Sequence, residues 1–189
     1  MNRLFQTTLI FSTVVGSWLG MQAVHELGHA AAAKLTGGHV SQVVLNPLTI
    51  SRTDLSENPR PLVVVWAGPI VGVVAPLILW GLAAALQFRA AFVLRFFAGF
   101  CLIANGFYIG VGSFDGVGDC GEMLRHGSQP WQLWIFGALT APLGLWLWHD
   151  QGSHFGFGPE RRAIHKNVAI GCLLATLALI ALGLIIGGE

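Results

Sequence analysis

Five stretches of about twenty mostly apolar residues govern what this chain can become, because a helix needs roughly that length to cross the hydrocarbon of a bilayer. They run approximately from Leu4 to Leu35, Leu62 to Leu86, Phe92 to Val111, Trp131 to Trp148 and Val168 to Gly187. Only 10% of the 189 residues are charged and 54% are hydrophobic, with a mean hydropathy of +0.67. Soluble domains carry roughly one quarter charged residues, so water is not the main solvent here. The expected fold is membrane, all-α: a polytopic bundle of about five transmembrane helices in a multi-pass integral membrane protein. Trp131 and Trp134 at one end of the fourth stretch, and Trp146 and Trp148 at the other, are placed as an aromatic belt at two headgroup regions requires. Pro69, Pro76 and Pro142 predict kinks within spans, and Gly68 with Gly72 predicts close helix contact.

Ten basic residues nearly cancel nine acidic ones, and no like-charged run appears, so no nucleic-acid surface is expected. Cys101, Cys120 and Cys172 are too far apart for a thiolate cluster or a disulfide framework and read as small buried hydrophobes. The first stretch starts after Arg3 like an export signal, but its apolar character continues past Ala23 to Ala33, too long for a signal and suited to a retained span. The whole chain, 1–189, reads as a single integral-membrane domain with a catalytic core over about 4–125 and additional spans at about 131–148 and 168–187. Between the first two spans, the stretch His39 to Asn46 followed by Pro47 to Thr53 is β-branched and bounded by turn residues, which predicts two short strands forming a β-hairpin. Between Gly112 and Pro130 lies a glycine- and aspartate-rich loop with the start of another helix.

The first apolar run contains His25-Glu26-Leu27-Gly28-His29. Residues four apart share a helix face one turn apart, so both imidazoles reach one ion. Glu26 projects beside them, where its carboxylate takes a proton from metal-bound water without being a ligand. An ionisable group at bilayer depth costs about 3 kcal/mol on insertion scales, so three within five positions point to function rather than packing. A catalytic zinc ion usually takes three protein ligands and leaves one position open. The third ligand has two candidates, Asp115 and Asp119, directly after the third span, and for one of them a turn or helix-cap role is expected.

These features resemble the site-2 protease family of membrane zinc metallopeptidases. The resemblance rests on His25-Glu-Leu-Gly-His29 inside a span, on Ala67-Gly-Pro-Ile70 opening the second span, and on Asn105 upstream of an aspartate-containing loop. It covers approximately residues 20–125. No proline follows Asn105, and the aspartate lies further along than the family's pattern has it. Asp119 fits better, with Gly121 two residues on and Leu124 five on, whereas Phe114-Asp115-Gly116 reproduces the hydrophobic-Asp-Gly core. The resemblance implies a Zn2+ cofactor held by His25, His29 and Asp119 (alternatively Asp115), Glu26 as the catalytic base, and a transmembrane protein or peptide as substrate within the lipid bilayer. It also implies that Asn105 bonds substrate or oxyanion, although an asparagine in a span equally bonds a neighbouring helix. The hairpin is a candidate edge for an extended substrate.

The competing expectation is a non-proteolytic membrane metal-binding or transport protein using the same residues. Against it stands Glu26, which hydrolysis needs and transit does not. The remaining histidines flank spans and are expected to be solvated. Basic residues at the span ends favour a cytoplasmic N-terminus.

Overall fold

The computed structural model describes residues 3–186. Its helices are α1 (Arg3–Leu35), α2 (Pro61–Ala85), α3 (Ala91–Gly112), the short α4 (Asp119–Arg125), α5 (Pro130–Trp148) and α6 (Lys166–Ile186). A two-stranded antiparallel hairpin, β1 (His39–Val44) and β2 (Arg52–Glu57), follows α1. The helix bounds match the apolar stretches to within two residues, except that Gly187 lies outside the described residues. Pro69 and Pro76 sit inside α2 and Pro142 inside α5 without ending either helix.

Four helices, α1, α2, α3 and α6, are long and apolar enough to cross a membrane. The expectation of five spans is thus met by four on hydropathy alone. The fourth stretch forms α5, but its four tryptophans, Gln132 and Pro142 dilute its apolar character. Direction accounts for it. Helix α6 runs parallel to α1, with Ala169 clustered with Leu9, Thr176 Oγ1 donating to Ser12 O at 2.9 Å, and Leu179 beside Gly20. The chain leaves α3 at the far face and must recross before α6 begins. Helix α5 makes that passage antiparallel to α3, with Gly144 against Gly99, Ala141 against Gly106 and Gly137 against Gly110.

Without a hydrophobic driving force between helices in lipid, such backbone contacts and interhelical hydrogen bonds hold the bundle. Ser12, Gly16 and Gly20, spaced by four, give α1 a small-residue face for α6. Gly28 lies directly on Ala67 and Gly68 of α2.

Helix α1 ends at Gly37, whose φ of 82° suits glycine, and the Gly38 N–H returns to Ala33 O at 2.7 Å. The hairpin pairs Val44 with Arg52 and Val43 with Thr53. Its second strand begins five residues later than Pro47, where the sequence pattern starts it. Asn46 makes a turn there, accepting the Leu48 N–H on its side chain at 2.9 Å and the Thr49 N–H on its carbonyl at 3.1 Å. The polar Arg-Thr-Asp-Leu-Ser-Glu of β2 pairs despite its low strand propensity because β1 lies alongside.

A candidate metal centre under the hairpin

His25, Glu26 and His29 are all buried on α1, between 4% and 8% exposed, although no charged partner accompanies Glu26 among the described residues. At 1.5 Å per residue, His29 lies about 8 Å and His25 about 14 Å below Lys34, the cation at the end of α1. Asn105 lies about 10 Å below the end of α3 by the same measure, so two helices deliver their polar groups to one depth.

Asp119 arrives from outside the spans. It is the first residue of α4, after Gly118 at φ 61°, a conformation that an L side chain strains. Cys120 and Met123, both fully buried, pack with Val65, Ile109 and Leu133 and fix α4 against three spans. The Asp119 N–H donates to the Tyr108 hydroxyl at 3.1 Å, and the Tyr108 ring stands edge-on to His25. Burial pushes the Asp119 carboxyl up, but where the imidazoles also carry a proton on Nε2 their hydrogen bonds and charge outweigh it and hold the group well below the usual carboxylate range. Asp115 is exposed in the turn after α3, apart from the histidines.

The three ligand atoms converge. Nε2 of His25 is 3.0 Å from Nε2 of His29, and Asp119 Oδ2 lies 2.8 Å from the first and 3.3 Å from the second. A tetrahedron with bonds of about 2.0–2.1 Å has an edge of about 3.3 Å, so the triangle has the size of one metal coordination face.

The tautomers of both imidazoles are set by their Nδ1 partners. His25 Nδ1 faces Asn105 Oδ1 at 2.7 Å, and that amide is oriented by its Nδ2 donating to Cys101 O at 2.9 Å. His29 Nδ1 faces the Val64 carbonyl at 2.8 Å. Both oxygens accept, so each ring carries its hydrogen on Nδ1, and the neutral rings turn bare lone pairs at each other and at a carboxylate. Only protons or a cation between them relieve that repulsion, and fixing Nδ1–H in this way is how proteins aim imidazoles at metals. Gly68 leaves the room: a Cβ there would stand 2.9 Å from His25 Nε2 and closer still to His29 Nε2. The residues therefore fit a metal ion.

Glu26 is held from above. Ser51 Oγ donates to its Oε1 and Thr53 Oγ1 to its Oε2, each at 2.8 Å. Four participants were not read from the sequence: Ser51, Thr53, the Val64 carbonyl and Tyr108. Tyr108 alone offered a hint, as the sole tyrosine, one helical turn beyond Asn105. Asn105 proves to bond a neighbouring helix, at His25.

A comparison with known protein families matches residues 13–110, slightly more than half the chain, to the Peptidase M50B-like family. The chain belongs to that family. The site-2 protease resemblance seen in the sequence is thereby met, and membership of a peptidase family with a buried His-His-Asp cluster makes this an integral-membrane metallopeptidase acting on membrane-embedded substrates. Searches of curated proteins and of solved structures return no match. The Peptidase M50B-like segment contains His25, Glu26, His29, Gly68 and Asn105. Asp119 lies beyond it and is brought into the cluster by α4.

Proposed function

We propose that the chain is a single integral-membrane zinc endopeptidase domain in which His25, His29 and Asp119 hold the ion and Glu26 is the general base. The observation that carries this reading is the triangle of two Nε2 lone pairs and one carboxylate oxygen, 2.8 to 3.3 Å on a side, with its Nδ1 hydrogens already committed. Two neutral imidazoles and a carboxylate suit a divalent ion of zinc's character and leave one position open. When bound, zinc supplies Lewis acidity, polarising a carbonyl and acidifying an adjacent water.

The rest is the work of the chain. Glu26 takes the proton of the attacking water and passes it to the leaving amide nitrogen. Asn105 and Val64 keep the imidazoles aimed. Each strand of the two-stranded hairpin keeps one unpaired edge, on which a transmembrane protein or peptide, locally unwound, pairs as an extended strand. Helix α5 backs α3, and α6 backs α1, so the additional spans support the elements that carry ligands.

Glu26→Gln in the full-length protein tests the assignment. The variant is expected to retain zinc and to lose cleavage of a membrane-embedded substrate by at least about a hundredfold. Cleavage at the parent rate would remove Glu26 as the base.

A further inference from the structure

We infer that Ser51 and Thr53 are positioning residues: a two-hydroxyl clamp through which the hairpin sets the orientation of the Glu26 carboxylate. The inference rests on the proposed role of Glu26 as base and adds the device that aims it.

Glu26 is 4% exposed, inside the first span. No arginine, lysine or histidine lies within ion-pair distance of it among the described residues. A buried carboxylate without a cation is costly unless hydroxyls or amides replace its water. Ser51 and Thr53 do this, one for each oxygen, at equal distances of 2.8 Å.

The division matters, because the terminal torsion of a glutamate is broad and nearly free. One donor leaves the carboxylate turning about a single hydrogen bond, whereas donors on both oxygens fix its plane. Each oxygen keeps a further lone pair, so the clamp leaves the base able to accept a proton. Thr53 Oγ1 also lies 3.3 Å from the Glu26 carbonyl, which seats the hairpin on α1 at this one residue.

Thr53 is the second residue of β2, opposite Val43 of β1, and Ser51 immediately precedes the strand. The strand that offers a pairing edge thus begins at the groups that orient the base. Engagement of substrate with the hairpin is transmitted to Glu26 over a distance of one or two residues.

The test uses the full-length protein with Ser51→Ala, Thr53→Val, and the conservative pair Ser51→Thr and Thr53→Ser. Loss of a hydrogen bond to a charged group is expected to lower kcat roughly tenfold for each of the first two. KM for the membrane substrate and bound zinc should stay within about twofold of the parent on the same reasoning, since the lost bond touches neither. Thr53→Ser, which keeps the hydroxyl, should restore most of kcat. In a Glu26→Gln background the Ala and Val changes should have no further effect.

A rise in kcat would overturn the inference by showing the hydroxyls to be a block on the site. A change confined to KM, or loss of zinc, would equally overturn it, leaving the hairpin as a substrate support or a structural lid. If Glu26→Gln abolishes cleavage while Ser51→Ala and Thr53→Val do not alter kcat, the clamp fails and the role of Glu26 stands. If Glu26→Gln cleaves normally, the role of Glu26 itself has failed.

Discussion

Asn105 and Gly68 show how much of the centre depends on residues that never touch the ion. Asn105, 1% exposed, holds the Nδ1 hydrogen of His25. Replacing it with alanine frees the ring to rotate and to change tautomer, and removal of such a partner typically costs about 10- to 100-fold in metal affinity or activity. Zinc titration of Asn105→Ala against the parent checks this. Gly68→Ala acts differently, since its methyl would occupy the space between the imidazole tips. Metal stoichiometry is expected to fall well below one while the helical content of the protein, read by circular dichroism, is kept. The His-Glu-x-x-His residues were legible in the sequence because their spacing is local and their polarity stands out against an apolar run. The choice of Asp119 over Asp115 was only favoured there, because it depends on how the chain turns after Gly112. Ser51, Thr53 and the Val64 carbonyl were not legible at all, since a hydroxyl or a backbone oxygen acquires its role only when a distant segment folds over it.

At the scale of elements, α4 is the part on which the centre most depends. It is short, outside the spans, and held by Cys120 and Met123 in a cluster shared with α2, α3 and α5. Met123→Ala removes a fully buried side chain, and such truncations cost about 2–5 kcal/mol in soluble cores. The expected outcome is weaker zinc retention against a chelator, with cleavage falling in proportion. Retention equal to the parent would show that α4 is held by something else. The hairpin was read at the correct place with its second strand starting too early. Pro47 and the β-branched residues after it look like strand, whereas Asn46 turns the chain, and the polar β2 is recruited by its partner. The fourth apolar stretch shows the converse: its tryptophan ends announced a span that hydropathy alone undervalues, and its glycine contacts with α3 carry it across.

The whole molecule presents two unlike faces. The face at the start of α1 carries Arg3, Arg89, Arg95, Arg161, Arg162 and Lys166, while the face above the metal centre carries Lys34, Arg52, Arg60 and Arg125. Basic residues flanking spans are retained on the cytoplasmic side, so the first face is expected to be cytoplasmic and the hairpin to lie opposite. Labelling of Glu160→Cys and Glu57→Cys variants with a membrane-impermeant thiol reagent in intact cells checks it: Glu57→Cys should react and Glu160→Cys should not. Helix number and order were legible from length and apolarity, because lipid imposes the same demand on every span. The arrangement of the helices was not, since it rests on glycine contacts and interhelical hydrogen bonds between residues far apart in sequence.

This fold is proposed to hold one divalent ion on His25, His29 and Asp119. Elemental analysis of the purified full-length chain, after zinc loading and removal of excess, tests it most directly when run beside Asp119→Asn and Asp115→Asn. About one zinc per chain is expected in the parent and in Asp115→Asn, the site needing one ion for its three ligands, with marked loss in Asp119→Asn. A parent protein that takes up no ion, or an Asp119→Asn protein that keeps its ion as firmly as the parent, would contradict the account.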